Sequence, residues 1–288
     1  NLLARTEALY VIDAATLIEL GRLDCLHLLS NIPQLHCSTK TYDLIRAGLD
    51  ESKILQTAGT MVAHEGDIAF VEITDQDKLK QVDFLQGLVD AIESHCKISP
   101  AYGPLEWPQT PKELRDVVSA EEMATLTLSL ELGATLFCLD ARLRLLGGTL
   151  GLEGIWPQAL LSSCLAAGQI SRNDYTLACV KMFLSGRSFI SLNSLDLLLT
   201  IYKGDAWARA IISAFQEHIA EENVDFDSAL TVVFNFLVDL ASAGVCQFGF
   251  FIEATSFLTE GLARHKKCPG DLAARLAIML GFSVSFFH

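Results

Sequence analysis

Basic residues are scarce in this chain. Its 21 Lys and Arg face 35 Asp and Glu, for a net charge of −14. So acidic a surface works against sequence-independent adhesion to nucleic acid, leaving room only for a local basic track or an acidic pocket that needs cations. Charge of either sign is sparse, at 19% of residues against 51% apolar, which excludes a disordered chain and supplies ample core. None of the eight cysteines falls in a C-x-x-C pair, and several sit in apolar patterns. They read as buried, reduced thiols of a cytoplasmic protein, not as a disulfide framework or zinc site. The seven histidines (His27, His36, His64, His95, His218, His265 and His288) show no metal-ligand spacing. No glycine-rich phosphate loop occurs, and Gly147-Gly148 reads as a helix stop. Arg5 and Glu7 leave no apolar run of signal-peptide length, and an opening at Asn1 is expected of a processed or truncated chain. Ala229 to Phe251 is long enough to span a bilayer, with Asp239 its only charge. The break at Ala243-Gly244 and the polar Asn235, Ser242 and Gln247 point instead to two packed core helices meeting near Gly244, with no membrane contact.

What the chain does have is an alternation of strand-like and helix-like segments through its first half, the signature of an α/β fold with a central parallel sheet. Strands are predicted at Leu9–Ile12, Gln34–Cys37, Ile68–Ile73 and Ala134–Leu139, with a short fifth near Gly154–Trp156. Ser38 or Thr39, Thr74 or Asp75, and Ser119 stand where helix caps are needed. Four of the seven prolines (Pro100, Pro104, Pro108 and Pro111) make Ile98–Pro111 an irregular segment, long enough for a lid or binding loop. From Pro157 the pattern is helical, broken at Gly168, Gly186 and Gly204. A soft boundary near residue 200 divides an α/β domain, 1–200, from a helical C-terminal domain, 201–288.

Acids mark the ends of two of these strands. Asp13 follows Tyr10-Val11-Ile12, and Asp140 follows Phe137-Cys138-Leu139. A carboxylate at the mouth of a buried strand is costly unless something satisfies it. The plain reading of any one is a helix N-cap. The coincidence of several favours a site, because ligands of open parallel sheets bind beyond the strand C-termini where strand order reverses. Asp43, near the start of one helix, and Glu122, in the first turn of another beside Glu121, are placed to join Asp13 and Asp140 there. Clustered carboxylates repel unless a cation neutralises them, and hard oxygen donors select Mg²⁺ or Mn²⁺. Such an ion suits phosphodiester hydrolysis. Arg46, Arg142 and Arg144 flank the proposed site and are the candidate phosphate contacts. The denser run Arg264-His265-Lys266-Lys267 reads as a helix C-terminal cluster.

At these residues the sequence resembles the PIN-domain family of metal-dependent ribonucleases, over roughly residues 8–200. Tyr10 to Ile18 is similar to its first motif, Ser38 to Arg46 to the second-acid helix, Glu121 to Ala134 to the third, and Phe137 to Leu143 to the fourth. The resemblance implies a three-layer α/β/α sandwich. It also implies that Asp13, Asp43, Glu122 and Asp140, with Glu121 as a substitute, hold one or two Mg²⁺ or Mn²⁺ ions and cleave single-stranded RNA. The chain departs from the family pattern in three places. The second acid is Asp43, where Glu is commoner. Ala15 and Cys138 stand where Ser or Thr usually orient carboxylates or water, and Thr16 is expected to point elsewhere. Two functions follow: a ribonuclease, or a catalytically weakened PIN-like module that engages a protein partner or a second copy through its helical C-terminal region. A haloacid-dehalogenase-like phosphatase would need an acid at Ala15, and a receiver domain a neighbouring acidic pair. Neither pattern fits.

Overall fold

Tyr10, Val11 and Ile12 form β1 (Tyr10–Ile12), and every one of them is buried. β2 (Leu35–Ser38) is buried throughout as well. Strands without an exposed face require helices on both sides of the sheet. The computed structural model describes residues 7–54, 59–64, 67–72, 74–103, 118–187, 190–202, 204–243, 248–272 and 275–276. It is an α/β/α sandwich followed by a helical region. The sheet has five parallel strands in the order β5-β2-β1-β6-β7, where β5 is Lys97–Ser99, β6 is Thr135–Phe137 and β7 is Gly154–Ile155. The chain builds outward from β1 through β2 to β5, then returns to lay β6 on the other side of β1. That reversal puts the open crevice at the C-terminal ends of β1 and β6. The register pairs Ile12 with Phe137, so Asp13 and Cys138 are next to each other as the chain leaves the sheet.

The first five flanking helices each begin on a side-chain cap. Asp13 caps α1 (Ala14–Arg22), and Ser38 caps α2 (Thr39–Ile54) by accepting from the Thr41 N–H at 3.0 Å. Thr74 and Asp77 form a capping box on α3 (Asp75–His95). Ser119 and Glu122 form another on α4 (Ala120–Leu132), which ends at Gly133 with φ +60, a left-handed turn that glycine takes without strain. Asp140 caps α5 (Ala141–Thr149), and Pro157 opens α6 (Pro157–Ala166) at its first turn.

Two expectations about the strands change. The run at Ile68 is a strand, β4 (Asp67–Glu72), but it pairs antiparallel with β3 (Gly59–His64) in a separate two-stranded sheet. Ile73 lies outside the described residues. Apolar β-branched composition announces a strand without naming its partner. The place beside β2 is taken by β5, which includes Ile98 and Ser99 from the proline-rich segment expected to be irregular. Three residues on a half-exposed edge are too few to show alternation. Pro104, Pro108 and Pro111 lie outside the described residues.

The chain divides into two compact units, Asn1–Ile170 and Ser171–His288. The division falls ahead of the soft boundary near residue 200, because α7 (Arg172–Leu184) and α8 (Ser194–Ile201) pack against α9 (Asp205–Ile219), and α8 packs against α10 (Phe226–Ala243). Gly168, Gly186 and Gly204 have φ of +71, +69 and +118 and punctuate these helices as expected. α10 is long and apolar enough to cross a membrane by length and composition. Phe226, Ala229, Leu230, Val233, Phe236, Leu237 and Leu240 form its buried stripe, the three-to-four spacing of a helix packed on protein. It packs on α11 (Phe248–Arg264), while Gly244 and Gln247 lie outside the described residues. The described cysteines are free thiols, four of them buried: Cys37, Cys138, Cys164 and Cys179.

Candidate functional site

Three of the acids divide their labour oxygen by oxygen. Asp13 Oδ1 accepts from the Thr16 N–H at 2.9 Å, Asp140 Oδ1 from the Arg142 and Leu143 N–H groups at 2.7 and 3.4 Å, and Glu122 Oε2 from the Ser119 N–H at 2.7 Å. These are the capping bonds, and they account for one oxygen of each acid. The other oxygens turn to tertiary partners. Asp13 Oδ2 accepts from the Cys138 thiol at 3.0 Å, and Asp140 Oδ2 and Glu122 Oε1 share Arg142 Nη2 at 3.1 and 3.4 Å. Capping fixes where each carboxylate sits, and the second oxygen remains for other chemistry.

Asp13 is the most constrained of the three, at 3% exposure. Burial pushes its carboxyl above the usual carboxylate range, and the charge of Asp140 adds to the rise. Hydrogen bonds from Thr16 and Cys138 oppose it. The thiol of Cys138, fully buried, is itself pushed far up, first by burial and then by the charge of Asp13, so it stays protonated and donates. Cys138 thus supplies the orienting bond that a hydroxyl would give at this position.

Thr16 does the same from the other side, and does not point elsewhere. It is fully buried, and its hydroxyl accepts from the Leu139 N–H at 2.7 Å, tying α1 to the segment that carries Asp140. Helical side chains lean toward the N-terminus, so a residue in the first turn lies back over its own cap. Arg144 braces the same segment. Its Nη1 donates to the carbonyls of Cys138 and Leu139 at 2.6 and 2.8 Å, and its guanidinium lies 5.5 Å from the Trp156 ring centroid. Burial pulls its pKa below the ordinary arginine value.

Asp43 lies on an exposed face of α2. Thr41, Ile45 and Leu49 make the buried stripe of α2, and a residue two positions from Thr41 lies on the opposite, exposed side. Among the described residues no hydrogen bond or ion pair links Asp43 or Glu121 to the other acids. Nor does any group of three or more His, Cys, Asp or Glu stand close enough to hold a metal ion as the side chains lie. Arg46 is engaged across α2 and α3, with Nη1 3.3 Å from the Tyr42 hydroxyl and 3.8 Å from Glu93 Oε1. A buried hydroxyl chain escaped the sequence reading. Ser38 Oγ lies 2.9 Å from Thr41 Oγ1, which lies 3.3 Å from Thr125 Oγ1, linking the end of β2 to α2 and α4. Only the Ser38 cap was legible beforehand, since the Thr125 contact spans 84 positions.

The thiol contact yields a direct expectation. Cys138→Ala leaves a buried carboxylate oxygen without its donor and should cost about 1.5–3 kcal/mol at neutral pH, read from urea midpoints. Cys138→Ser should recover most of it. An alanine variant as stable as the parent would contradict the orienting role.

Residues 11–148 match the family model described as a PIN domain associated with the TPR-GreAB-C-PIN system. No curated protein and no solved structure matches the chain significantly.

Proposed function

We propose, from the premise that residues 11–148 belong to the PIN domain family, that the protein is a divalent-metal-dependent ribonuclease cleaving single-stranded RNA at the ends of β1 and β6. The observation that carries this reading is the orientation of Asp13. It is a carboxylate kept in the interior against its desolvation cost, with one oxygen on a helix cap and the other on a protonated thiol beside Asp140. Structural capping alone needs only the first of those bonds.

Asp13 Oδ2, Asp140 Oδ2 and Glu122 Oε1 are the donors that would hold Mg²⁺ or Mn²⁺; all are hard oxygens, as those ions require. Such an ion, when bound, lowers the pKa of its water and stabilises charge at a phosphoryl centre. The chain's own residues prepare the place. Thr16 and Cys138 hold the Asp13 carboxylate, and Arg144 clamps the Cys138 and Leu139 carbonyls so that Asp140 is presented from a fixed turn. Arg142, more than half exposed, is the cation best placed for a substrate phosphate. Asp43, on the outer face of α2, and Glu121 stand outside the core trio. Cytoplasmic residence is the compartment consistent with free thiols.

The test is cleavage of an unstructured RNA oligonucleotide by the full chain with Mn²⁺ or Mg²⁺, with and without chelator. Cleavage should vanish with chelator and fall by about 10²-fold or more in Asp140→Asn, by analogy with the cost of disturbing a metal's ligand shell. Metal-independent cleavage, or an undiminished Asp140→Asn, would sink the proposal.

A second reading has its own support. Ile252 and Phe257 on α11 are exposed at 52% and 38%, and the matched family is described by its association with a TPR-containing system. These favour a protein-interaction module that uses the helical unit to bind a partner or a second copy. A complete lack of turnover, together with a stable complex or oligomer, would favour this reading.

A further inference from the structure

Arg142 occupies an unusual position for a surface arginine. Its backbone N–H donates to Asp140 Oδ1 at 2.7 Å, while its own guanidinium returns to Asp140 Oδ2 at 3.1 Å, so one residue holds both oxygens of one carboxylate. The same Nη2 also reaches Glu122 Oε1 at 3.4 Å, across to the first turn of α4. Two oxygens of the proposed ligand set therefore converge on a single positively charged atom. The Arg142 side chain is 58% exposed, while the side chains of Asp140 and Glu122 are 33% and 21% exposed. The acids are fixed by their caps, and the cation between them has open solvent to retreat into. Exposed ion pairs of this kind are weak and readily exchanged. Two carboxylates held at one place repel unless a cation lies between them, and the protein supplies its own.

We propose that Arg142 is a resident counter-cation of this site: it closes the edge formed by Asp140 and Glu122, and a divalent ion binds there only by displacing it. The inference rests on the metal reading above and adds a competitor encoded in the chain. The arginine is a positioning residue in this state, acting through the two acids it holds.

The experiment is Mn²⁺ titration of the full chain, followed calorimetrically and by the loss of the free-ion paramagnetic resonance signal, with no RNA present. Removing a unit charge a few ångströms from a dication, with solvent-like screening, should tighten Mn²⁺ binding by about 5- to 30-fold in Arg142→Gln. Arg142→Lys, which keeps the charge, should stay within about threefold of the parent. Asp140→Asn should weaken binding in the same assay. If Arg142→Gln binds Mn²⁺ no more tightly than the parent while Asp140→Asn binds it less, the metal reading survives and the counter-cation is overturned. If neither the parent nor Arg142→Gln binds Mn²⁺, and Asp140→Asn changes nothing, the metal reading fails and this inference falls with it. Circular dichroism of each variant separates either result from misfolding.

Discussion

Asp13→Asn is expected to abolish RNA cleavage and, at neutral pH, to make the protein more stable. The two effects have one cause. The Asp13 carboxylate sits at 3% exposure, and burial raises its pKa above the ordinary value of 3.8. A group whose folded pKa lies above its unfolded one contributes stability that is fully present below the unfolded value. That contribution is lost as pH rises through the folded value. Above the raised value the ionised Asp13 is therefore a net cost to folding. Asparagine keeps an oxygen for the Thr16 N–H and carries no charge, so it should gain about 1 kcal/mol at pH 7. The advantage should shrink as pH falls through the raised folded value toward the ordinary one, as Asp13 itself takes up a proton. Activity should move the other way, by about 10²-fold or more, since the negative oxygen facing Cys138 is gone. Denaturant midpoints at pH 7 and pH 4, measured beside RNA cleavage, give the readout. A variant equally destabilised at both pH values would show that Asp13 is only a cap. One that cleaves like the parent would remove it from the chemistry.

The second large effect lies in the helical unit. Asp196→Ala should destabilise that unit by about 1.5–3 kcal/mol, the cost of removing a buried carboxylate that satisfies several donors, while Arg172, one-third exposed, can turn to solvent. Asp196 is fully buried. Its Oδ1 accepts from Arg172 Nη2 at 2.6 Å and from the Thr176 hydroxyl at 2.7 Å, and its Oδ2 accepts from the Asn193 N–H at 3.1 Å. The Asp196 N–H in turn donates to Asn193 Oδ1 at 3.0 Å, completing the capping box that starts α8. One carboxylate thus joins α7 to α8 and begins α8. Its removal leaves Arg172, whose Nε already lacks a partner, without its counter-charge. The loss should appear as faster amide exchange in α7 and α8 and a lowered urea midpoint. Asp196→Asn, which keeps an oxygen for these donors, should be milder than Asp196→Ala. A single alanine variant within about 1 kcal/mol of the parent would refute this account.

These expectations draw unequally on what the amino-acid order reveals. The caps at Asp13, Ser38, Thr74, Ser119 and Asp140 were legible because each is satisfied within three residues of itself. The ends of β1 and β6 were legible for a similar reason, since an apolar run stops at an acid. The partner of the strand at Ile68 was not, because strand pairing is decided between segments. Nor was the outward placement of Asp43, although the stripe Thr41, Ile45 and Leu49 could have revealed it: only one face of α2 is buried. Cys138 departs from the Ser or Thr of the resembled family, which points to weakened turnover, yet its protonated thiol donates where a hydroxyl would.

By itself the sequence determined the α/β order of elements, the helical character of the C-terminal region, and the acids that start helices at strand ends. Those features depend on periodicity and on hydrogen bonds between near neighbours. Tertiary structure alone decided which second oxygens meet and on what. Cys138 reaches Asp13 across 125 positions and Arg142 reaches Glu122 across 20, through the parallel register of β1 with β6 and the packing of the α4 N-terminus beside them. A carboxylate has two oxygens: local sequence claims one for the cap, and only the assembled fold can say what the other one faces.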